Sequence, residues 1–586
     1  METIYSMIDT INKILWGPWT LWTLLACGIL FTLWTKFSQI TVLTHGIQVL
    51  KGKYDNPDDP GAINHFQALS AALSATVGLG NIGGVAMAIG AGGPGALFWM
   101  WVVGFLGMAF KTVEITLAMK YRNTQDPDNP HGGSMWVIDK VLGSKGGIYK
   151  TIAKIIGIFF CLTLILSTFT GGNLYQSWSV AQLTQTYFEV PHIATGIVLS
   201  ILVGVVIIGG IKRIGAIAGK LVPFMCILYL LAAFTVLAAN ATQIPALFAL
   251  IFKSAFSPTQ ASGAFVGGLL GYVFLQGMQR AFFSNEAGQG SAPIAHAAAK
   301  TSQPAREGFV GGLGPFIDTI CICTITALVI LSTGAWNREP IGDFKQKITF
   351  THKNQNKKTD HEIWQVNASS DPSNLPKNKY GKWKTGDKLF TIATVKTKNN
   401  KTNKNTGTNK IRITGKIISK PGKTEDAKTT DIIQWDPIKL AHANWPEKPQ
   451  KIELEHPGIF KKYENAVLTG HAFDRQFPGL GKWLVTIAAW LFAISTMISW
   501  SYYGEQGVIY IFGQKLVLLY KIIFLVAVIW ATQIQNISQM ERFMNLGLGA
   551  MLWANIPIIL CLGYLAVNSL NTYREKLKKG EFQKYK

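Results

Sequence analysis

Charge is what this chain has least of. Only 15% of its 586 residues are Asp, Glu, Lys or Arg, against 48% that are hydrophobic, and the mean hydropathy is +0.23. A soluble chain of this length rarely carries so little charge, and here the apolar residues come in long runs, the pattern of a membrane protein. Cysteine is also sparse. Cys27, Cys161, Cys226, Cys321, Cys323 and Cys561 all lie inside apolar runs and none in the one long hydrophilic stretch, which argues against structural disulfides. Cys321-x-Cys323 has no second pair to complete a zinc site. The histidines show no metal spacing, no Walker A motif is present, and no nucleophile is paired with a base in a polar domain. ATP-driven pumping and enzymatic chemistry therefore lack their usual residues. A cleavable leader is not expected, because residues 1–13 are mixed polar and the first apolar run has no small-residue cleavage site.

What is present is a series of apolar runs. An apolar helix of about 20 residues crosses a bilayer core. Eleven candidate spans fall near 14–35, 64–92, 94–118, 152–175, 194–211, 217–238, 262–282, 308–334, 482–504, 513–532 and 544–569. Backbone in lipid must satisfy its own hydrogen bonds, so an all-α polytopic membrane protein is expected. The net charge is +23, a weak footprint for nucleic acid, but aromatics and bases do not interleave on a polar domain. The bases instead follow a topology. Lys36, Lys51 and Lys53, then Lys120, Arg122, Lys140, Lys145 and Lys150, then Lys212, Arg213 and Lys220 occupy loops of one parity, whereas 176–193 has none. With Arg574 and five lysines in the tail, this places the N-terminus outside and the C-terminus in the cytoplasm.

Residues 338–478 break the pattern as a polar insertion between the eighth and ninth spans, dividing the chain into 1–337, 338–478 and 479–586. Alternating stretches such as Lys347-Ile-Thr-Phe-Thr351 and Ile411-Arg-Ile-Thr-Gly-Lys-Ile-Ile418, with a turn cluster over Asn399–Asn409, read as hairpins of a small β-rich domain on the outer face. It is either a solvated surface insertion or a ligand-binding module.

Two spans are abnormal. One contains Gly78, Leu79, Gly80 and Asn81; the other, Gly271–Gly290, contains Gly277, Phe283, Ser284 and Asn285. Glycine weakens helix continuity and leaves backbone groups free. Such backbone is tolerated at membrane depth only when buried or lining a cavity; freed amides suit a carboxylate, and freed carbonyls a cation. Close helix packing through Gly80/Gly84 and Gly267/Gly271 is the competing reading. The two segments sit five spans apart, at corresponding positions of two halves, which favours a transporter binding site. Asn173 and Gln176 end the fourth span, and Ser495 and Thr496 interrupt the ninth; their oxygens suit a hard monovalent cation, or simply helical carbonyls. Lys111, Glu114, Arg280 and Glu286 are expected near cytoplasmic ends, with structural or gating roles.

Ala75-Thr-Val-Gly-Leu-Gly-Asn-Ile-Gly-Gly-Val-Ala86, Gly92-Gly-Pro-Gly-Ala-Leu-Phe-Trp-Met-Trp101, Phe283-Ser-Asn-Glu-Ala-Gly-Gln-Gly-Ser-Ala-Pro293 and Trp500-Ser-Tyr-Tyr-Gly-Glu505 closely resemble the alanine/glycine:cation symporter family. The resemblance implies a leucine-transporter-like five-plus-five inverted repeat with one extra N-terminal helix. It also implies import of a small neutral amino acid with Na⁺, or sometimes H⁺, and no organic cofactor. By motif, Gly78, Leu79, Gly80, Asn81, Gln176, Phe283, Ser284 and Asn285 would hold substrate. Carbonyls near Ala75 and Gly78, with Ser495 and Thr496, would hold the cation. The chain departs from the family at Leu79, where many members carry Thr, and in the insertion. A transporter-like receptor using the outer domain, a carrier for another zwitterion and a passive channel are the alternatives.

Overall fold

The computed structural model describes residues 2–257, 270–344, 348–353, 361–367, 383–404, 406–420, 430–534 and 537–585. Among them, eight helices are long and apolar enough to cross a bilayer: Ile4–Trp34, Ala96–Lys120, Gly147–Phe188, Gly210–Ala239, Pro304–Ser332, Gly481–Phe512, Gln514–Ala531 and Ser538–Lys578. His65–Thr76 and Gly80–Gly92 form one further span, bent by 51° at the break. Each coincides with a run expected from composition. The remaining two runs give shorter helices. His192–Ile207 stops before Gly210, whose φ of +67° is left-handed, a conformation that interrupts a right-handed helix. The run at 262–282 yields Leu270–Asn285; Gly267 and its neighbours lie outside the described residues. An apolar helix that composition did not flag, Ile244–Phe256, seats Phe252 and Phe256 edge-on to Phe98 at 5.6 and 4.9 Å.

The bent span starts from a reciprocal cap. The Asn64 side chain accepts from the Gln67 amide at 2.8 Å, and the Gln67 side chain accepts from the Asn64 amide at 3.1 Å, satisfying two donors that every helix start leaves open. Wide π-helical turns, which occur most often at functional sites, lie at Gly80–Gly84, Thr170–Leu174 and Phe316–Ile322. Gly277 does not break its helix. It lies within Leu270–Asn285, and a Cβ there would stand 2.4 Å from the carbonyl oxygen of Ala96, so its role is close packing. That segment breaks later, after Glu286, whose φ is +55°.

The insertion is β-rich, as alternation indicates. Its strands are β1 Gly342–Asp343, β2 Thr349–Lys353, β3 His361–Asn367, β4 Lys388–Thr397, β5 Lys410–Lys420, β6 Thr430–Trp435, β7 Ile438–Ala441 and β8 Pro449–Lys461. They make an antiparallel sheet ordered β1-β8-β4-β5-β6 and a second ordered β2-β3-β7. Lys347, at the head of the expected first strand, lies outside the described residues. In β5, Ile413 and Ile417 are buried while Arg412 and Lys416 face out. The Asn399–Asn409 turn joins β4 to β5, whose register pairs Lys388 with Lys416 and Thr394 with Lys410. The helix after β8, Ala466–Gln476, packs into the main helical core through Ala466, Leu468, Ala472 and Phe473. The sheets meet the helices at one end of the bundle: Lys384 pairs with Glu189 at 2.5 Å, and Arg412 donates to the carbonyl of Gly90 at 3.2 Å.

The opposite end is knitted by buried side chains. Arg122 donates to the carbonyls of Ala297, Ala299 and Thr301 at 2.7 Å and of Pro60 at 2.9 Å. The amide of Tyr585 donates to the carbonyl of Lys53 at 3.0 Å. Nearby, His45 is buried and shares a 2.9 Å hydrogen bond with the hydroxyl of Tyr573. Burial, with Arg306 and Lys53 adding to it, pushes its imidazole down to about 4. The unfolded chain takes up that proton at higher pH than the folded one, so stability present above the ordinary histidine range is lost as pH falls toward 4. Apparent melting temperature in detergent is expected to drop over that window, and the drop is expected to shrink in His45→Gln.

Candidate functional site

The break at Val77–Leu79 is held open by side chains. In a continuous helix the amides of Gly78 and Leu79 would bond the carbonyls of Ser74 and Ala75. Instead, the Gly78 amide donates to Asn81 Oδ1 at 2.8 Å and the Leu79 amide to Gln176 Oε1 at 3.4 Å. The carbonyls of Ser74 and Ala75 are thereby released from those partners. Because Asn81 Oδ1 takes an amide, its Nδ2 must face outward from the break. It reaches Ser284 Oγ at 2.9 Å, the Asp318 carbonyl at 3.2 Å, Cys323 Sγ at 3.4 Å and, closest, Asp318 Oδ1.

Asp318 is the residue that sequence reasoning missed. It is fully buried, and its carboxylate also accepts from Ser284 Oγ at 3.1 Å and Thr319 Oγ1 at 2.7 Å. A buried carboxylate needs several donors to offset lost hydration, and here they come from three elements. The available signal was a lone acid in the 308–334 run, since an intramembrane ionisable residue is a functional candidate by default.

A cavity of about 10 Å³, near the room one water needs, adjoins the break. Gly78, Gly80, Gln176, Phe283, Glu286 and Trp500 are among its lining residues. The Phe283 ring covers Gly80, where a Cβ would come within 3.0 Å of it. Gln176 lies within a helix, and its Nε2 donates to the Gly171 carbonyl at 3.3 Å. Of the expected substrate residues, the structure brings Gly78, Leu79, Gly80, Asn81, Gln176, Phe283 and Ser284 together. Asn285 stands apart: its Oδ1 caps the Ala287 amide at 3.0 Å and its Nδ2 lies beside Gly107.

The expected cation oxygens lie on the other flank of the break. Ser74 Oγ donates to the Ser495 carbonyl at 2.7 Å and lies 2.6 Å from Ser495 Oγ. Thr496 Oγ1 is buried without a hydrogen-bond partner among the described residues, a state that costs about 1–3 kcal/mol. A Cβ on Gly78 would approach it to 2.6 Å. With the released Ala75 carbonyl, these are hard oxygen donors of the type a monovalent cation takes.

The intramembrane charges are not at an interface. Lys111, Glu114 and Glu286 are all buried, because the chain supplies internal partners. Ser291 donates to Glu286 at 2.5 Å and the Trp500 indole at 3.2 Å. Glu114 accepts from the Gly290 amide at 2.8 Å and Asn555 at 2.7 Å. These bonds hold the second break, 286–291, in shape. Arg280 lies toward the insertion and pairs with Glu541 at 3.1 Å.

A family model described as the sodium:alanine symporter family matches residues 1–359 and 454–586. The chain belongs to that family. It is 33% identical to the sodium/alanine symporter AgcS of Methanococcus maripaludis over 98% of each chain. It is 37% identical to the amino-acid carrier protein AlsT of Bacillus subtilis over 56% of this chain and 68% of that one. It is 36% identical to the uncharacterized transporter YaaJ of Escherichia coli over 55% and 66%. As a member of the sodium:alanine symporter family, the chain is a multi-pass membrane transporter and not an enzyme. Adding one methyl group at the break tests the geometry: Gly78→Ala should reach the membrane normally yet lose Na⁺-dependent amino-acid uptake by tenfold or more, and uptake near the native rate would show that the Thr496 contact has no role.

Proposed function

We propose that this protein imports a small neutral amino acid of the alanine/glycine class together with Na⁺ by alternating access. The observation that carries this reading is the break at Val77–Leu79, where Asn81 and Gln176 divert two amides while Thr496 and the Ala75 carbonyl are left with unused oxygens. Gly78, Leu79, Gly80 and Asn81, with Gln176, Phe283 and Ser284, form the substrate site; Asn285 positions the second break. Ala75, Gly78, Ser495 and Thr496 form the cation site. Ion and solute meet the same few residues of backbone, so each stabilises the conformation the other binds, which couples their movement. The relatives' names, a sodium/alanine symporter and an amino-acid carrier, support the solute class.

The architecture that goes with this function is a five-plus-five inverted repeat after one N-terminal helix, with the two interrupted segments opening the two halves. The insertion stands on the outer face and the C-terminal tail in the cytoplasm. Support comes from the bias of Lys and Arg between loops and from the Glu189 and Gly90 contacts, which put the sheets at the end opposite the Lys53–Tyr585 contact. Leu79 contributes its amide, which donates to Gln176, and offers no side-chain hydroxyl to the solute.

Purified protein in liposomes should accumulate labelled alanine or glycine under an inward Na⁺ gradient. Accumulation driven by a proton gradient alone would reassign the ion, and no gradient-driven uptake of any small amino acid would overturn the reading. Asn81→Leu should abolish uptake while inserting normally; normal transport by it would make the break a packing feature.

A further inference from the structure

Above the break, on the side of the insertion, lies a second and larger cavity of about 260 Å³. Its inner wall is the half-helix Gly80–Gly92, through Ala86 and Gly90, and its outer wall is the insertion, through Phe390 and Arg412. A partition separates it from the central cavity. Asn465 lies against Gly83, where a Cβ would stand 1.5 Å from its Oδ1, and accepts from the Tyr175 hydroxyl at 3.1 Å. Tyr175 in turn stands edge-on to Phe283 at 5.4 Å.

Among the described residues, cations predominate in the lining of this cavity: Arg280, Arg338, Arg412 and Lys462, of which Arg280 pairs with Glu541. The carboxylate in its lining, Glu464, is already matched by Lys388 at 2.8 Å and Lys462 at 2.7 Å. Arg338 and Arg280 each carry a buried Nε with no hydrogen-bond partner among the described residues. Arg338 and Arg412 both lie over the Phe390 ring, at 5.8 and 5.1 Å from its centroid. Arg338 donates through its terminal nitrogens to the carbonyls of Ala335 and Lys461, which leaves its Nε edge open, and a guanidinium fork matches a carboxylate in two parallel bonds. Burial pushes Arg338 down to about 10; it remains cationic at neutral pH, and a bound anion would relieve the cost of charge there.

We propose that this cavity is an outer binding site for a small monocarboxylate, taken to be the carboxylate end of the amino acid before it passes the Asn465–Tyr175–Phe283 partition. Arg412 belongs to the insertion, so the insertion completes a binding site and is more than a solvated appendage. Naming the amino acid rests on the proposed function; the preference for a carboxylate does not.

Labelled propionate, which keeps alanine's carboxylate and lacks its amine, tests this by equilibrium binding to the full-length purified protein at constant ionic strength. The native protein should bind it saturably, and the neutral isostere propionamide should not compete. Asn81→Leu, which disables the central site, should bind propionate as the native protein does. Arg412→Gln, altered on the solvent-accessible face of β5, should bind it about tenfold more weakly, the scale of one charge-assisted hydrogen bond. No saturable binding, equal competition by propionamide, loss of binding in Asn81→Leu, or native affinity in a monodisperse Arg412→Gln would each overturn the proposal. Propionate binding without amino-acid uptake would sink the transport reading and leave this one standing.

Discussion

The side chain of Asn81 bridges the place where a membrane-spanning helix fails and the core that surrounds it. Its carbonyl takes the Gly78 amide at 2.8 Å, and its amide nitrogen faces the Asp318 carboxylate and Ser284. Without the first bond, a buried amide would lack a partner at a cost of about 1–3 kcal/mol. Without the second, a buried carboxylate would lose a donor, which costs more. The bend of 51° and the open contact between Gly78 and Thr496 lie at that bridge, and beside it the Leu79–Gln176 bond releases the Ala75 carbonyl.

The same logic recurs at the second break. There Glu286 terminates a helix in a left-handed conformation, and the exposed backbone is taken up by Glu114 and Asn555 from two other helices. Irregular backbone inside a membrane protein must be satisfied by protein, and at this break a buried acid and a buried amide do so. The electrostatic consequence is a core where Lys111 interacts with Glu286, Glu114 and Asp318. All four groups are buried, and Glu286 among them lines the central cavity. The two breaks are joined directly: Asn81 and Asp318 both hydrogen-bond Ser284, two residues before Glu286.

Glycine content, span spacing and motif resemblance made the Gly78–Asn81 break and its partners Gln176, Phe283 and Ser284 legible in the sequence, and alternation made the strands of the insertion legible. Period and spacing report neighbours along the chain. They do not report that residue 318 meets residue 81, because that contact spans 237 positions and depends on how helices dock. Asp318 passed as one polar residue in an apolar run. Gly277 read as a break because a close-packing glycine and a helix-breaking glycine look alike in sequence. Arg280, Lys111, Glu114 and Glu286 read as interfacial because nothing in one dimension shows that internal partners await them.

The account's central claim is that solute and cation meet at the break itself. The most direct measurement is a cryo-electron microscopy map of the protein in lipid nanodiscs with alanine and Na⁺. The account predicts solute density against Gly78, Gly80, Gln176 and Phe283, with a cation beside Thr496 Oγ1 and the Ala75 carbonyl. Ordered solute density in another part of the helical core, with the Val77–Leu79 break and its Asn81 bridge unchanged and empty, would contradict it.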